Sequence, residues 1–484
     1  MFKSSIQVLK PDDIELIHGS ALEILRDVGT RVDHYRMRSL LSDFGCFVEG
    51  EFVKFPTALV EFVVERMRDP ANQTQGYTGT LPINLSRIPE DARVVPVATG
   101  QATTAHDLDT DMLRPATRLD LAQACRLADN LPGVVTGHPV FLPQEYPAMV
   151  RDLYALITVA ENYPYSDFVE IYSPEVVPYF LEAGEVICGS RNALKKAPPF
   201  CSWAFATPPL IYGQHGFEIV FQLKDFGLEC GFGVGGVMPI LGASTPFTLA
   251  GYLALQTAEA LACNVMNWTL LGRVSGYGGG PALLDVQELA SSQGNPEAVL
   301  LFLACMELQR YYGAPEPMFP YALGTDAKLP DIQAGIDKSF KATTAVLAGS
   351  RLLSAGLGCL SVSGVASLAQ MVIDYELCKN LEQLARGFLV DADHIEMDLI
   401  KRVGIGGSFL AEPESVRHMR DTLYMPHLFD RGPAGGWSEE KGMLARAKRR
   451  VRTILEKDQG PHYLEPDQIA ELERIAARAA AALS

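Results

Sequence analysis

The sequence is poor in several features that would each indicate a particular class of protein. Its 41 basic against 58 acidic side chains give a formal charge of −17. This balance argues against general nucleic-acid binding, because phosphate recognition requires clustered lysine and arginine. No run approaches the roughly 18 uninterrupted apolar residues of a membrane span. Residues 1–10 also lack the basic, apolar and small-residue succession of a signal peptide, so we expect a cytoplasmic protein.

The cysteine and histidine patterns that mark disulfide scaffolds and zinc sites are missing as well. The nine cysteines are odd in number and dispersed, and no two form C-x-x-C. The nine histidines include neither His-x-His nor H-E-x-x-H. A disulfide scaffold and a compact zinc site are therefore not expected. A zinc site assembled from distant strands remains an open alternative.

Two common enzyme motifs, the P-loop and G-x-S-x-G, are also absent. Residues 231–236 match G-x-G-x-x-G literally, but these glycines form a strand-like run, and no helix can begin before about Ser244. The dinucleotide fingerprint needs its glycines at the turn that leaves a strand and opens a helix. We therefore interpret them as small residues in a crowded barrel interior.

What the sequence does contain indicates a globular protein with a large core, since 48% of its residues are apolar and 20% are charged. Residues 11–69 follow the pattern helix, helix, hairpin, helix. Pro11, Asp12 and Asp13 open the first helix, where a carboxylate can cap exposed amides, and Gly29 ends it. This pattern predicts a helical N-terminal extension over residues 1–93.

From about residue 94, short apolar runs alternate with helical patterns. The strand-like runs are 134–136, 168–171, 202–205, 232–235 and 266–269, with further candidates near Val94, Phe319 and Cys359. Strand, helix and turn repeat about every 33 residues, the size of one βα unit. We predict an α/β fold, a TIM (β/α)8 barrel over residues 94–390, with an open doubly wound sheet as the alternative.

The remaining residues, 391–484, are more charged and predict a helical C-terminal extension. Residues 441–457 are rich in lysine and arginine and have glutamates on their borders. We interpret this segment as a solvated helical face, with a docking surface for an acidic partner as the alternative.

In a barrel, chemistry takes place at the carboxyl ends of the strands and in the loops that follow them. The candidate side chains at those ends are His138, Glu170, Trp203, Phe205, Asn267, Trp268, Tyr277, Tyr321 and Asp326. Aromatic rings beside an isolated carboxylate suit a cationic ligand, because ring faces attract a quaternary ammonium. A carboxylate in the apolar run around Glu170 would be costly to bury without a partner. The alternatives are that the rings only pack the barrel, and that the glycine-rich segment 276–280 is a plain connection rather than a cover for a ligand.

Several stretches along the chain resemble a known family. LKPDDIELIH at 9–18, KLPDIQA at 328–334 and SLAQMVID at 367–374 carry the resemblance, and the tail from VGIGG at 403–407 through 429–431 to Trp437 also fits. Over essentially its whole length the chain resembles the trimethylamine methyltransferase family of corrinoid-dependent enzymes, and within it the members without pyrrolysine.

The resemblance implies a TIM barrel whose top face admits the cobalamin of a separate corrinoid protein. It also implies transfer of a methyl group from an N-methylated amine to Co(I). The founding enzymes carry pyrrolysine in the barrel, whereas every residue here is a standard one. Members without pyrrolysine act on quaternary amines such as glycine betaine, proline betaine and carnitine. A second departure is Pro413-Glu414-Ser415, where many relatives have a His-Thr pair.

The chemistry of a quaternary amine agrees with the candidate residues. Its leaving group is already a neutral tertiary amine, so the protein needs mainly an aromatic, partly anionic pocket that positions the methyl group. We predict methyl transfer from a quaternary amine, glycine betaine being favoured, with His138, Asn267 or Arg273 as donors to its carboxylate. The expected partners are this amine and the corrinoid protein. Self-association is left open, and neither nucleic acid nor a membrane is expected.

Two other functions remain open alternatives. One is a different TIM-barrel activity, such as that of a lyase or a metal-dependent hydrolase, which tightly bound stoichiometric zinc would favour. The other is a non-catalytic quaternary-amine-binding protein, which betaine binding without turnover would favour.

Overall fold

The fold is given by a computed structural model of the chain. It describes residues 6–72, 77–78, 81–82, 91–164, 169–236, 238–314, 318–319, 321–354, 356–458, 460 and 463–483. None of the helices in these ranges combines the length and the hydropathy that a membrane span needs.

The N-terminal part has the predicted helix, helix, hairpin and helix, with a short strand added between the first two helices. Its elements are α1 Pro11–Glu23, β1 Thr30–Val32, α2 Tyr35–Phe44, β2 Phe47–Glu49, β3 Phe52–Lys54, α3 Thr57–Met67, β4 Tyr77–Thr78 and β5 Leu81–Pro82. The Asp13 carboxylate caps the first turn by accepting the Lys10 N–H at 2.8 Å. Gly29 ends the first helical segment with φ +78°, and a Cβ there would lie 2.3 Å from the carbonyl oxygen of Val53. Only glycine fits this position without moving the hairpin.

The central part alternates strands with helices. The strands are β6 Val95–Ala98, β7 Thr104–His106, β8 Leu113–Pro115, β9 Val135–Thr136, β10 Val169–Glu170, β11 Phe200–Thr207, β12 Ile211–Tyr212, β13 Phe232–Gly235, β14 Ile240–Leu241, β15 Ala282–Asp285, β16 Ala290–Ser292, β17 Leu352–Leu353, β18 Cys359–Leu360 and β19 Val365–Ala366. The helices are α4 Arg118–Asp129, α5 Arg151–Asn162, α6 Val177–Cys188, α7 Arg191–Lys196, α8 Gln214–Phe226, α9 Leu249–Leu271, α10 Pro296–Tyr311, α11 Ile332–Leu347 and α12 Leu368–Arg386.

Parallel pairing links strands that are far apart in sequence. β6 lies between β17 and β9, and β11 lies between β10 and β13, all of these pairs being parallel. A parallel bridge also joins Phe319 to Leu353. The alternation of helices with parallel strands confirms a mixed α/β protein. In the described ranges the strands form several small sheets whose hydrogen bonds do not close a barrel, so the (β/α)8 barrel stays a prediction.

The predicted strand at 266–269 is wrong, because these residues lie near the end of helix α9. The Thr248 hydroxyl caps the start of this 23-residue helix, and Gly272, with φ +65°, ends it. Most of the helix is buried on all sides, so its apolar residues show no clean helical stripe. A short piece of such a sequence cannot be told from a buried strand by periodicity. In the correctly predicted run around Glu170, Phe168 lies outside the described residues.

The C-terminal part is helical and packs on the central part. Its helices are α13 Ala392–Ile395, α14 Met397–Val403, α15 Pro413–Thr422, α16 Met443–Lys457 and α17 Pro466–Leu483. Helix α16 packs on α4 and α12, and α17 packs on α5 and α6. Lys448 and Arg452 of α16 pair with Asp111 and Asp109 at 2.6 Å each. Part of the basic segment is therefore paired within the chain.

A buried ion pair joins helices α11 and α12. The Lys338 ammonium lies 2.7 Å from Asp374 Oδ2, and both side chains are 1% exposed. The same oxygen accepts the Gly358 N–H at 2.8 Å, and Oδ1 accepts from the Gln370 side chain at 2.7 Å. The Asp374 carboxylate therefore fixes the segment after Gly358 as well as the two helices.

Candidate functional site

A cavity of about 370 Å³ lies at the carboxyl ends of the parallel strands. Thr99 follows β6, His138 follows β9, Glu170 ends β10 and Ser354 follows β17. The full lining comprises Thr99, Gly100, Gln101, His138, Glu170, Phe205, Gly236, Met238, Gly279, Gly280, Ala282, Ser291, Gln293, Tyr321, Ser354, Val362 and Ser363. The volume suits a small organic molecule. Four of the ten predicted site residues line the cavity: His138, Glu170, Phe205 and Tyr321.

Glu170 is the acidic side chain among the described residues of this lining. It is 4% exposed, and its Oε1 is buried without a hydrogen-bond partner among the described residues. Burial, together with the nearby Asp152 carboxylate, raises the pKa of Glu170 to about 8, against hydrogen bonds from the Gln101 and Tyr172 side chains that lower it. A cation in the cavity would favour the ionised carboxylate and so lower this pKa.

Two aromatic rings lie in the same lining as Glu170. Phe205 is 43% exposed, and the Tyr321 hydroxyl donates to Met238 Sδ at 2.8 Å. Burial, and secondarily the Glu170 carboxylate, raises the pKa of Tyr321 to about 12, so its phenol is neutral at physiological pH. A carboxylate and two aromatic rings around one cavity suit a cationic ligand.

Non-glycine residues with left-handed backbone cluster around the cavity. Gln101 has φ +72° and Tyr321 has φ +55°, and Ser361, Val362 and Ser363 have +48°, +53° and +67° in succession. Of these, only Ser361 is not part of the lining. Each such residue costs of order 1–3 kcal/mol, and such strain concentrates at functional sites. The backbone thus points to the same cavity as the side chains do.

Asn267 and Trp268 do not line the cavity, because they lie on helix α9 rather than at the end of a strand. The Asn267 amide accepts the Val234 N–H at 2.7 Å and donates to the Val234 carbonyl at 2.6 Å, so it fixes β13 from the side. The Trp268 ring makes an edge contact with Phe62 of α3, with ring centroids 6.0 Å apart. Both residues stabilise the packing around the site.

The prediction that Tyr277 and Arg273 lie near the site depends on the same wrong strand at 266–269, and neither residue lines the cavity. Tyr277 is buried, its hydroxyl lies 3.1 Å from Thr257 Oγ1, and its ring stacks on Tyr312 at 5.3 Å. Arg273 donates to the carbonyl of Glu229 at 3.1 Å. From the glycine-rich segment that follows, Gly279 and Gly280 do line the cavity.

Trp203 and Asp326 are not part of the lining. The Trp203 ring covers Gly233, where a Cβ would lie 2.8 Å from the ring. Asp326 accepts from the Ser292 hydroxyl at 2.6 Å and from the N–H groups of Gln293 and Gly294 at 2.9 Å each. Asp326 therefore fixes the segment that carries Gln293 into the cavity.

Several lining residues were missed by sequence reasoning. Gln101, Met238, Gln293, Val362 and Ser363 lie outside the strands and belong to no recognisable motif. The one available signal was position, since Gln101 follows β6 and Gln293 follows β16. In the described ranges, no group of three or more His, Cys, Asp or Glu side chains is arranged to hold a metal ion.

Comparison with known proteins identifies the family. A family model described as trimethylamine methyltransferase (MTTB) matches residues 3–484. The chain is 26% identical to trimethylamine methyltransferase MttB2 of Methanosarcina mazei, over 98% of this chain and 95% of that protein. It is 26% identical to trimethylamine methyltransferase MttB of Desulfitobacterium hafniense, over 92% of this chain and 88% of that protein. A glycine betaine methyltransferase of Desulfitobacterium hafniense is also 26% identical, over 97% and 96% of the two chains. The chain therefore belongs to the trimethylamine methyltransferase family and is an enzyme that transfers methyl groups.

Proposed function

We propose that this enzyme takes a methyl group from a quaternary amine and transfers it to Co(I) of a corrinoid carried by a partner protein. The observation that carries the proposal is the joint lining of one cavity by Glu170, Phe205 and Tyr321. Neither lysine nor arginine is among the described lining residues, which suits a cationic rather than an anionic ligand. The relative named glycine betaine methyltransferase supports the same substrate class and makes glycine betaine the first donor to assay.

The cavity residues act mainly by binding and orienting the amine. Its ammonium would lie against the faces of Phe205 and Tyr321, with the Glu170 carboxylate balancing the charge. When the methyl group leaves, the nitrogen becomes neutral, so the attraction to Glu170 disappears and the product amine is released more easily. Rate enhancement then comes from holding one methyl carbon in line with the acceptor.

The surroundings of the cavity fit a large acceptor. Phe205 and Met238 line the cavity and are 43% and 41% exposed, so the cavity reaches the protein surface beside two apolar side chains. These residues would contact the corrin face of cobalamin held by the partner. Co(I) supplies the nucleophile for the methyl carbon when the corrinoid is bound.

Two arcs of parallel strands support the predicted (β/α)8 barrel. Phe319, β17, β6 and β9 form one arc, and β10, β11 and β13 form the other. Closure of these arcs onto each other would complete the cylinder and place the cavity at its carboxyl end. The extensions at 1–93 and 391–484 and the cytoplasmic location also remain predictions.

The direct test incubates the purified protein with glycine betaine and Co(I)-cobalamin. We expect dimethylglycine by mass spectrometry and, in parallel, the change in corrin absorbance that accompanies methylation. Trimethylamine serves as the comparison donor and protein-free mixtures as controls. Betaine binding without dimethylglycine, even with the partner corrinoid protein supplied, would instead identify a binding protein.

Phe205 offers a test of the aromatic wall. Gly236 has φ +71°, and a Cβ there would lie 2.0 Å from the Phe205 ring, so Gly236→Ala must displace the ring. We expect affinity for tetramethylammonium to fall up to about tenfold. Gly272→Ala is the matched control, since Gly272 has φ +65° and no described residue lies within 4 Å of its Cβ position. Equal affinities in the two variants, measured by calorimetric titration, would contradict a role for the ring.

A further inference from the structure

Gln293 is a cavity residue whose backbone is held on both sides. It follows β16 and is 2% exposed. Its N–H donates to Asp326 Oδ1 at 2.9 Å, and its carbonyl oxygen accepts from Lys341 Nζ at 2.9 Å. Such a held residue can present its side chain in one fixed orientation.

The oxygen and the nitrogen of the Gln293 side-chain amide have different surroundings. Its Oε1 is buried without a hydrogen-bond partner among the described residues. A Cβ on Gly324 would lie 2.6 Å from this oxygen, so the oxygen is directed at Gly324, which is not part of the cavity lining. The other end of the amide, a donor of two hydrogen bonds, is left for the cavity.

A buried lysine lies directly behind this amide. Lys341 of α11 is 0% exposed, and its ammonium also donates to the Gly324 carbonyl at 3.2 Å. A Cβ on Gly324 would lie 3.0 Å from Nζ, so the ammonium and the Gln293 amide oxygen approach the same glycine. Burial, helped by the nearby Lys338 ammonium, lowers the pKa of Lys341 to about 7, whereas Asp326 and Asp337 act to raise it. An anion in the cavity would favour the charged ammonium.

The cavity is therefore polarised. Glu170 belongs to the sheet of β10 and β11, whereas Gln293 continues from β16 in the sheet of β14 and β15. The first region carries a carboxylate, and the second carries amide donors with a cation behind them. A molecule with a positive head and a negative arm matches both regions at once.

We infer that Gln293, supported by Lys341, determines specificity by binding the carboxylate on the arm of the quaternary amine. This inference rests on the proposed function and adds the residue that distinguishes a betaine from other quaternary ammonium ions. Gln293 takes the place of Arg273, which lies outside the cavity lining. Lys341 is a positioning residue, because it orients Gln293 through the backbone carbonyl and contributes its charge from behind.

The test compares three ligands that share a trimethylammonium head. Glycine betaine has a carboxylate arm, choline has a hydroxyl arm, and tetramethylammonium has no polar arm. By calorimetry we expect the wild-type protein to bind glycine betaine at least about tenfold more tightly than either of the others. In Gln293→Leu this preference should disappear, while the affinity for tetramethylammonium stays within about twofold of that of the wild type.

Two further variants keep the result interpretable. Gln293→Glu should reverse the preference, because its carboxylate repels that of glycine betaine but not tetramethylammonium. In the wild type the betaine preference should decline above pH of about 7, because Lys341 then loses its charge. In Lys341→Met the preference should be smaller and this decline should be absent. Tetramethylammonium binding reports on the fold of each variant.

Three results would overturn the inference. The first is that the wild type shows no preference for glycine betaine, and the second is that it binds choline more tightly than glycine betaine. The third is that Gln293→Leu lowers the affinity for all three ligands equally. Each of them leaves the proposed function standing, provided that the wild type binds tetramethylammonium. If the wild type binds none of the three ligands, the proposed function itself fails, and the inference falls with it.

Discussion

Glu170→Gln is expected to lower the affinity for a quaternary ammonium about 100-fold at pH 9, because it removes the acidic group of the cavity lining. Glutamine keeps the volume of the side chain and its ability to accept from Gln101 and Tyr172, so the cavity should persist. Since the charge on nitrogen is lost as the methyl leaves, the effect should appear mainly in KM, with a smaller change in kcat. Steady-state methyl transfer and calorimetric titration with tetramethylammonium measure the two quantities.

Glu259 of α9 provides the matched control. It is 0% exposed, its Oε1 accepts the Leu210 N–H at 2.6 Å, and its Oε2 is without a partner among the described residues. Burial raises the pKa of Glu259 to about 7, much as it raises that of Glu170. Glu259 is not part of the cavity lining, so Glu259→Gln should leave ligand affinity unchanged. An equal loss in both variants would rule out a direct role for Glu170.

The pH dependence follows from the same carboxyl group. Below its pKa of about 8, Glu170 is protonated and must lose the proton to pair with a cation. The affinity for tetramethylammonium should therefore rise by up to about tenfold per pH unit and level off above pH 8. Asp152, Tyr172 and Tyr321 interact with this carboxyl group, but the two phenols stay protonated in this pH range, because burial raises their pKa. In Glu170→Gln the affinity for tetramethylammonium should no longer depend on pH in this range.

As pH rises toward 8, the contribution of Glu170 to the free energy of unfolding should fall, while the affinity for tetramethylammonium rises. An acid with a raised pKa in the folded protein favours folding most below its unfolded value of 4.5, and this contribution is lost as pH rises to about 8. Glu170→Gln should therefore raise the free energy of unfolding by a few kcal/mol at pH 8 in urea titrations. A variant that is more stable but binds poorly would show that Glu170 serves binding and not the fold.

Lys338→Met is expected to lower the free energy of unfolding by about 3–5 kcal/mol, because it leaves the Asp374 carboxylate buried without its cation. Both side chains of this pair are 1% exposed at a separation of 2.7 Å. Asp374 also holds Gly358, and the segment that follows carries Val362 and Ser363 to the cavity. Loss of the Lys338–Asp374 pair should therefore destabilise the cavity wall together with helices α11 and α12.

The double variant Lys338→Met, Asp374→Asn separates the cost of the unpaired Asp374 charge from the other effects of replacing Lys338. It removes both charges but keeps an acceptor for Gly358, so we expect it to recover at least half of the lost stability. Arg474→Met breaks an exposed pair with Glu471 at 2.8 Å and should cost less than about 1 kcal/mol. Urea unfolding at pH 7 measures all three variants. Similar losses in Lys338→Met and Arg474→Met would contradict the importance of burial.

The parts of the fold that could be predicted are those in which local signals agree. Asp13 and Gly29 mark the two ends of the first helical segment, and the apolar run at Glu170 is bordered by helices on both sides. Helix α9 could not be recognised throughout, because a helix that is buried on all sides has no polar face to reveal its period. The error moved Asn267, Trp268 and Arg273 into the expected site.

The candidate site was predictable where chemistry made a residue unusual in its surroundings. Glu170 is conspicuous as a carboxylate within an apolar strand. Gln293 has no such mark, because an amide in a loop is ordinary, and its importance comes from Asp326 and Lys341, which lie more than thirty residues away along the chain. Ser361 to Ser363 adopt left-handed backbone that their side chains do not predict.

A crystal structure of the protein with glycine betaine tests the proposed site most directly. We expect the quaternary nitrogen within about 6 Å of the ring centroids of Phe205 and Tyr321, beside the Glu170 carboxylate, with one methyl group directed toward the surface at Met238. Glycine betaine bound outside this cavity, or bound with its carboxylate at Glu170 and its nitrogen away from both rings, would contradict the proposed site.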